Sequence, residues 1–174
     1  MSANGKKVAL LVENMYEDQE FWYPYYRLKG AGAQVIVVAP KAGATYTSKH
    51  GYEAKSDVAA ADVKGSDFDA VVIPGGYSPD LMRRVPAMVQ LVRDADAAGR
   101  TIGTICHAAW MLCSADILKG RTVTCFFSIK DDVAHAGAEY VDQPVVKDGN
   151  LITSRFPADL PAYCEALVAA LEEK

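Results

Sequence analysis

Short apolar runs alternate with longer stretches of helical periodicity along the chain. Near-continuous apolar runs are typical of strands buried on both faces, and apolar residues that recur every three to four positions predict helices. The predicted strands are Lys7–Val12, Gln34–Ala39, Ala70–Ile73, Thr101–Ile105 and Thr122–Phe126. The predicted helices are Asp18–Gly30, Pro86–Ala98, His107–Leu118, Ser128–Ala136 and Ala158–Glu173. This alternation predicts a mostly parallel sheet with helices on both faces.

Two segments depart from the alternation. Gly43–Asp57 has few long apolar residues and is interpreted as a small excursion containing a hairpin. Tyr140–Val146 and Leu151–Thr153 flank Asp148-Gly149-Asn150, which is a hairpin turn sequence. No linker, repeat or shift in composition divides the chain, so residues 1–174 are expected to form one three-layer α/β/α domain.

Composition and charge narrow the classes of function. The 174 residues are 51% hydrophobic and 23% charged, which is ordinary for a soluble globular protein. The net charge is −4 and no basic run is present, so no nucleic-acid partner is expected. The apolar runs fall well short of the ~20 residues that span a bilayer. Val8–Val12 is too short for a signal-peptide core, so we expect a cytoplasmic protein with no membrane partner.

The cysteines are expected to be free thiols. They are Cys106, Cys113, Cys125 and Cys164, and none forms a C-x-x-C pair. A cytosolic chain of this size needs no disulfide. No metal-ligand spacing is present, so neither a metal nor another cofactor is expected.

Cys106 is the strongest candidate for chemistry. The strand Thr101–Ile105 runs directly into a predicted helix, which places Cys106 at a tight corner like a nucleophile elbow. The N–H groups that begin the helix would favour the thiolate. The alternative is a buried cysteine at a strand end. His107 is either the general base or acid for Cys106 or a first-turn residue that only packs. The second interpretation stays open because adjacent residues on a helix do not face each other.

Two further features follow predicted strands. Gly75-Gly76 lets backbone N–H groups approach an oxyanion or a substrate carboxylate, or forms an ordinary turn. Asp80 either orients a histidine or caps the short helix that follows. In open parallel sheets, ligands bind beyond the carboxyl ends of the strands, where these residues lie.

Four carboxylates follow the first strand, and they suit the positive end of a helix or the strand-end site. They are Glu13, Glu17, Asp18 and Glu20. An ionised carboxylate beside Cys106 would raise the thiol pKa, whereas a protonated one would donate a hydrogen bond to the thiolate. A carboxyl group in this role therefore needs a raised pKa and would titrate together with the thiol.

Taken together, these stretches resemble the PfpI/ThiJ superfamily, and its PfpI-type subgroup most closely. The matching motifs run nearly from end to end, and they include Glu17-Asp18-Gln19-Glu20, Lys49-His50-Gly51, Pro74-Gly75-Gly76-Tyr77-Ser78-Pro79-Asp80, Ile105-Cys106-His107, Val146 to Asn150, and Thr153-Ser154-Arg155. The resemblance implies a flavodoxin-like three-layer sandwich. It also implies a homo-oligomer, either a dimer or a hexamer. Some rings of the aromatic cluster Trp22, Tyr23, Tyr25 and Tyr26 are expected to line a subunit interface.

The resemblance also implies residue roles. The family nucleophile corresponds to Cys106 and its histidine to His107. The partner carboxylate corresponds to Glu20, and Glu17 is the weaker candidate. An acidic residue at the position of Asp80 reaches the histidine from a neighbouring subunit, although Asp80 is shorter than the glutamate common there.

The oxyanion donors implied by the resemblance are the backbone N–H groups of Gly76 and His107. Many relatives have Gly-Pro after Cys-His, where this chain has Ala108-Ala109-Trp110. Trp110 adds bulk near the site, which argues against large substrates.

The family leaves three functions open. The first is a glyoxalase III-like or deglycase-like enzyme that acts on reactive small aldehydes or glycated amines through a Cys106 thiolate, in stress protection. The second is an intracellular cysteine peptidase. The third is a redox sensor or chaperone without turnover, in which Cys106 oxidises to a sulfinic acid stabilised by Glu20. We favour the first.

Overall fold

The computed structural model describes residues 2–173. The strands are β1 Lys7–Leu11, β2 Gln34–Ala39, β3 Thr45–Thr47, β4 Glu53–Lys55, β5 Val58–Ala59, β6 Ala70–Ile73, β7 Thr101–Ile105, β8 Thr122–Val123, β9 Glu139–Tyr140, β10 Val145–Asp148 and β11 Leu151–Ser154. The α-helices are α1 Asp18–Gly30, α2 Ser78–Met82, α3 Pro86–Ala97, α4 Ala109–Ala115, α5 Lys130–His135 and α6 Leu160–Glu172.

Seven strands form the central sheet in the order β10-β11-β7-β6-β1-β2-β5. All neighbours are parallel except β10, which pairs antiparallel with β11 through the predicted hairpin. The strand order reverses at β1, which lies between β2 and β6. Such a switch point leaves a crevice at the carboxyl ends of the two strands that flank it.

Alternate residues of each central strand face opposite layers, as the pleat requires. Val8 and Leu10 of β1 pack with the side that holds α1 and α6, whereas Ala9 and Leu11 pack with the side that holds α3 and α4. All four side chains are fully buried. The predicted flavodoxin-like α/β/α sandwich is therefore confirmed.

Three predicted elements differ most in extent, and the others agree to within two residues at each end. The helix predicted over 107–118 begins as a 3₁₀ turn at Cys106–Ala108 and ends at Ala115, because Asp116 adopts a left-handed conformation. The strand predicted over 122–126 ends at Val123, because the N–H of Thr124 donates to Thr153 Oγ1 rather than to a strand. The strand predicted over 140–146 is likewise longer than the strands observed there.

The segment 140–146 is not one strand. β9 ends at Tyr140 and pairs with β8 in a small separate sheet, while β10 begins only at Val145. Pro144 lies between them and has no N–H to donate to a ladder. The excursion predicted over 43–57 does contain a hairpin, formed by β3 and β4.

The aromatic cluster of α1 divides between core and surface. Trp22 and Tyr25 pack against the core, whereas Tyr23 and Tyr26 are 43% and 64% exposed. Tyr52 of the hairpin loop packs edge-on against Trp22, and a broad hollow of about 1130 Å³ is bordered by Trp22, Tyr23, Tyr26 and Tyr52. None of the helices described within residues 2–173 is long and apolar enough to cross a membrane.

Candidate active site

Cys106 lies at the carboxyl end of β7, where the chain turns directly into the 3₁₀ turn that precedes α4. Its φ angle is +61°, in the left-handed region that costs a non-glycine residue about 1–2 kcal/mol. All five residues of β7 are buried, so the strand fixes the corner rigidly. This is the predicted nucleophile elbow.

The Gly75-Gly76 turn lies beside this elbow, at the end of β6. A Cβ atom on Gly75 would lie 2.8 Å from Cys106 Cβ and 2.5 Å from Glu20 Oε2, so no larger residue fits without a shift. Gly76 has a φ of +74° and forms an isolated bridge with Tyr16, just beyond β1. The turn thus joins the carboxyl ends of the two strands that border the switch point.

Glu20 is the carboxylate that reaches the elbow. It lies in the first turn of α1 and is fully buried, and its Oε2 accepts a 2.8 Å hydrogen bond from the Gly75 N–H. Its other oxygen, Oε1, has no hydrogen-bond partner among residues 2–173. Glu17 points elsewhere and pairs with Lys49 Nζ at 2.8 Å.

Glu20 and Cys106 form a buried, coupled pair. Burial raises the pKa of the Glu20 carboxyl to about 8, and the Gly75 N–H acts in the opposite direction. Burial and then the Glu20 charge raise the pKa of the Cys106 thiol, whereas the backbone N–H groups of His107 and Gly76 lower it. Because Glu20 keeps its proton at neutral pH, its charge is largely absent there and the two groups titrate as a unit.

His107 contacts Cys106 directly. Its Nδ1 lies 3.1 Å from the sulfur, because the left-handed φ of Cys106 turns its side chain out of the regular helical spacing that would separate adjacent residues. Its Nε2 lies 3.2 Å from Ser128 Oγ. Burial and then the positive charge of Lys49 lower the His107 pKa, so the imidazole is neutral at neutral pH.

Asp80 is not brought to His107 within one chain. It lies in α2, where it forms an ion pair with Arg84 one helical turn later. Burial opposes the effect, but hydrogen bonds from Arg84 and Tyr77 hold the Asp80 pKa below its ordinary value. A contact between Asp80 and His107 would have to come from a neighbouring subunit.

The pocket above Cys106 has a volume of about 380 Å³. Its walls are largely apolar, and its lining includes Met15, Tyr77, Trp110, Phe126, Phe156 and Pro157. Lys49 also borders it, and its positive charge acts on Cys106, Glu20 and His107. No sequence pattern indicated a role for Phe126 or Ser128, and the motif Lys49-His50-Gly51 was the only signal for Lys49.

One group of side chains near this pocket has the composition of a metal site. Glu17, Asp18 and His50 each place a ligand atom within 4.8 Å of the others. These atoms already have partners, because Asp18 bonds to His50 and Ser48, and Glu17 bonds to Lys49. His50 is exposed, and its Nδ1 lies 2.7 Å from Asp18 Oδ2.

All four cysteines are free thiols. Cys125 and Cys164 are buried, and burial raises the pKa of both to about 12. Cys113 is partly buried and its pKa is also raised by burial. Of the four thiols, Cys106 is the one that borders the pocket and contacts a histidine.

Comparison with known proteins agrees with this geometry. The model of the DJ-1/PfpI family matches residues 6–170. Deglycase PfpI of Pyrococcus furiosus is 40% identical over 166 residues, which cover 95% of this chain and 99% of that protein. The putative cysteine protease YraA of Bacillus subtilis is 40% identical over 159 residues, covering 91% and 94%.

A solved structure from Anabaena variabilis joins a DJ-1/ThiJ/PfpI-like domain to a ferritin-like domain. It superposes with a TM-score of 0.94 at 42% identity. The match covers 96% of this chain and 48% of the Anabaena chain, which is about half of that two-domain protein.

Proposed function

Because the chain belongs to the DJ-1/PfpI family, we propose that it is a deglycase-type enzyme whose Cys106 attacks reactive small aldehydes and their amine adducts. The observation that carries this proposal is the fully buried Glu20, protonated beside the elbow cysteine at the base of a 380 Å³ pocket. This volume lies at the small end of the range for ligand sites, which favours a small molecule over an extended chain.

The first step is addition of the Cys106 sulfur to an aldehyde carbon. A C–S bond forms, the carbonyl π bond breaks, and the oxygen takes the proton of the Glu20 carboxyl, which gives a hemithioacetal. The N–H groups of His107 and Gly76 already point at the sulfur, so they lie near the oxygen as its charge develops. His107 Nδ1 accepts the thiol proton during the attack.

The second step moves hydrogen between the two carbons of a 2-oxoaldehyde. A base removes the proton from the hemithioacetal carbon, and the neighbouring ketone carbon gains one. The first carbon is thereby oxidised to a thioester and the second is reduced to an alcohol. Water then hydrolyses the thioester, which releases a 2-hydroxy acid and regenerates the thiol. Glu20 has given its own proton to the aldehyde oxygen in the first step, so the remaining carboxylate, close to Cys106, is placed to carry this proton between the two carbons.

Amine adducts of the aldehyde react at the same carbon, the one that was the aldehyde carbon. The sulfur displaces the amine from the carbon that was the aldehyde, and the amine leaves with a proton. The resulting hemithioacetal follows the steps above, so one site serves both substrates.

The test is methylglyoxal turnover, measured as lactate formation. Cys106→Ala is expected to abolish lactate formation, and Glu20→Gln to lower kcat by about 10²–10⁴-fold, the range for loss of an acid–base group. Cys113→Ala, which removes a thiol outside the pocket, is the matched control. Absence of turnover by wild-type protein with reduced Cys106 would contradict the proposal.

A peptidase is the second candidate, favoured by the 3.1 Å contact between Cys106 Sγ and His107 Nδ1. In that reaction His107 would protonate the leaving amine. Hydrolysis of a fluorogenic peptide, lost in Cys106→Ala, would support this alternative, above all if the wild type leaves methylglyoxal unchanged.

Replacing the large Trp110 side chain tests whether it limits the size of the substrate. Its indole N–H donates to Asp132 at 2.8 Å, and the guanidinium of Arg83 lies 5.9 Å from its ring centroid, so the ring is held at the pocket wall. Trp110→Gln is expected to raise kcat/KM for phenylglyoxal relative to methylglyoxal. An unchanged ratio would show that Trp110 does not limit substrate size.

A further inference from the structure

The His107 imidazole has contacts from this chain at both ring nitrogens and with two aromatic rings. Nδ1 faces Cys106 Sγ at 3.1 Å, and Nε2 faces Ser128 Oγ at 3.2 Å. The ring lies between Trp110 and Phe126, with centroids at 5.1 and 5.0 Å. The ring can therefore neither flip nor swing without breaking these contacts.

Ser128 is fixed to the elbow through the backbone. It lies in the middle of the 3₁₀ turn Phe127–Ile129, whose Ile129 N–H donates to the Phe126 carbonyl. The Phe126 N–H in turn donates to the carbonyl of Cys106 at 3.2 Å. The turn that carries Ser128 is thus bonded to the nucleophile residue itself, so the hydroxyl and the imidazole keep their relative positions.

We propose that Ser128 is the positioning residue of His107, its hydroxyl oxygen accepting the Nε2 proton so that Nδ1 stays unprotonated toward the Cys106 thiol. The inference rests on the proposed function, since it concerns the base that serves the same nucleophile. As the sulfur attacks, the thiol proton moves to Nδ1, and the imidazolium that forms keeps its Nε2–H bond to Ser128.

A neutral acceptor is consistent with the charges around the ring. Cys106 contacts the ring and the charge of Lys49 acts on it, and the other titratable side chains that border the same pocket are Glu17, Glu20 and Tyr77. Lys49 disfavours a second positive charge, and Ser128 adds no negative charge to offset it. The imidazole therefore stays neutral and able to accept a proton. A carboxylate in place of the Ser128 hydroxyl would instead stabilise the protonated imidazolium.

Ser128 Oγ already contacts His107 Nε2, which is the atom that an acidic partner would have to bind. Within the chain, Asp80 pairs with Arg84. A carboxylate from a neighbouring subunit would have to displace Ser128 from Nε2. The two arrangements make opposite predictions for Ser128 and Asp80 variants.

The experiment is alkylation of Cys106 by iodoacetamide from pH 5 to 9, followed by mass spectrometry of the Cys106 peptide. Ser128→Ala is expected to slow alkylation at pH 7 by about five- to tenfold, the effect of losing one hydrogen bond. Ser128→Thr retains the hydroxyl and is expected to restore the rate. Ser66→Ala, in the 3₁₀ turn Gly65–Asp67 far along the chain, is the matched control.

A second measurement needs no variant of Ser128. The two imidazole tautomers have distinct ¹⁵N shifts, and His107→Gln assigns the signal among the three histidines. We expect the Nε2–H tautomer in the wild type at pH 8. An Nδ1–H tautomer, or an alkylation profile unchanged in Ser128→Ala, would overturn the proposal.

If Asp80→Asn slows the alkylation of Cys106 and Ser128→Ala does not, the residue that positions His107 is Asp80 of a neighbouring subunit. Alkylation requires no substrate turnover, so failure here leaves the methylglyoxal test unaffected. Conversely, a protein that fails to turn over methylglyoxal can still show the Ser128 effect.

Discussion

Gly75 shows how closely single atoms are placed at this site. Its missing side chain leaves room for Glu20 Oε2 and Cys106 Cβ, and its N–H donates to that same Glu20 oxygen. One residue therefore both makes space for the buried carboxyl and provides its hydrogen bond. The carboxyl also hydrogen-bonds to the Cys106 side chain, so its position depends on both this turn and the elbow.

Gly75→Ala tests that dependence. The added Cβ would lie 2.5 Å from Glu20 Oε2, so the variant is expected to lose about 1–3 kcal/mol of stability and most of its turnover. Gly30→Ala is the control, since a Cβ there meets nothing within 4 Å and lies at the end of α1. Urea unfolding of both variants gives the comparison, and equal stabilities would contradict the packing argument.

At the scale of elements, α4 is shorter than its apolar pattern predicts. The helix ends at Ala115 because Asp116 has a φ of +58°, and its N–H returns to the carbonyls of Leu112 and Cys113. This end lets the chain turn back toward β8. The elbow at one end of α4 and the left-handed residue at the other thus fix the length of the helix that supports Cys106.

Asp116→Gly is expected to stabilise the protein by about 0.5–1 kcal/mol, because glycine adopts the left-handed conformation without the Cβ clash. Asp131→Gly, in the first turn of α5, is the matched control and is expected to destabilise by about the same amount. The free energies of unfolding of the two variants, measured in urea, test these opposite expectations. A destabilised Asp116→Gly would show that the aspartate side chain holds the turn.

At the scale of the whole molecule, one buried carboxyl links global stability to pH. The pKa of Glu20 rises from its ordinary value of 4.5 to about 8 on folding, so between these values the folded state binds more protons than the unfolded state. Its contribution to stability is complete below pH 4.5 and is lost as pH rises through 8.

Glu20→Gln removes this titration. Relative to the wild type, the variant is expected to gain stability as pH rises from 5 to 8, with a slope of about 1.4 kcal/mol per pH unit at most. Denaturant unfolding at four pH values in that window measures it. Parallel stability curves would show that Glu20 is ionised in the folded protein.

The homo-oligomer expected from the sequence stays a prediction. Sedimentation velocity is expected to give a mass of at least two 18.7 kDa chains. Tyr26→Glu is expected to shift it toward the monomer, because the charge lies on the exposed aromatic face of α1. Phe127→Ser, which removes an equally exposed ring outside that face, is the control. A wild-type monomer would contradict the expectation.

Local patterns in the sequence were enough to predict the sandwich, the hairpin at Gly149 and the elbow at Cys106. Apolar periodicity records which face of each element is buried, and a strand that runs straight into a helix leaves only one kind of corner. The predictions were wrong at 122–126 and 140–146, where Thr122, Val123 and Tyr140 pair in a separate small sheet and only Val145 and Val146 join the central sheet.

Only the tertiary structure decided which polar groups share the site. Glu17 and Glu20 lie one turn apart on α1, yet Glu20 is buried against Gly75 and Glu17 pairs with Lys49. Ser128 reaches His107 from a turn bonded to the elbow. Desolvation and hydrogen bonding of this kind depend on how segments distant in sequence pack together, and no local pattern records that packing.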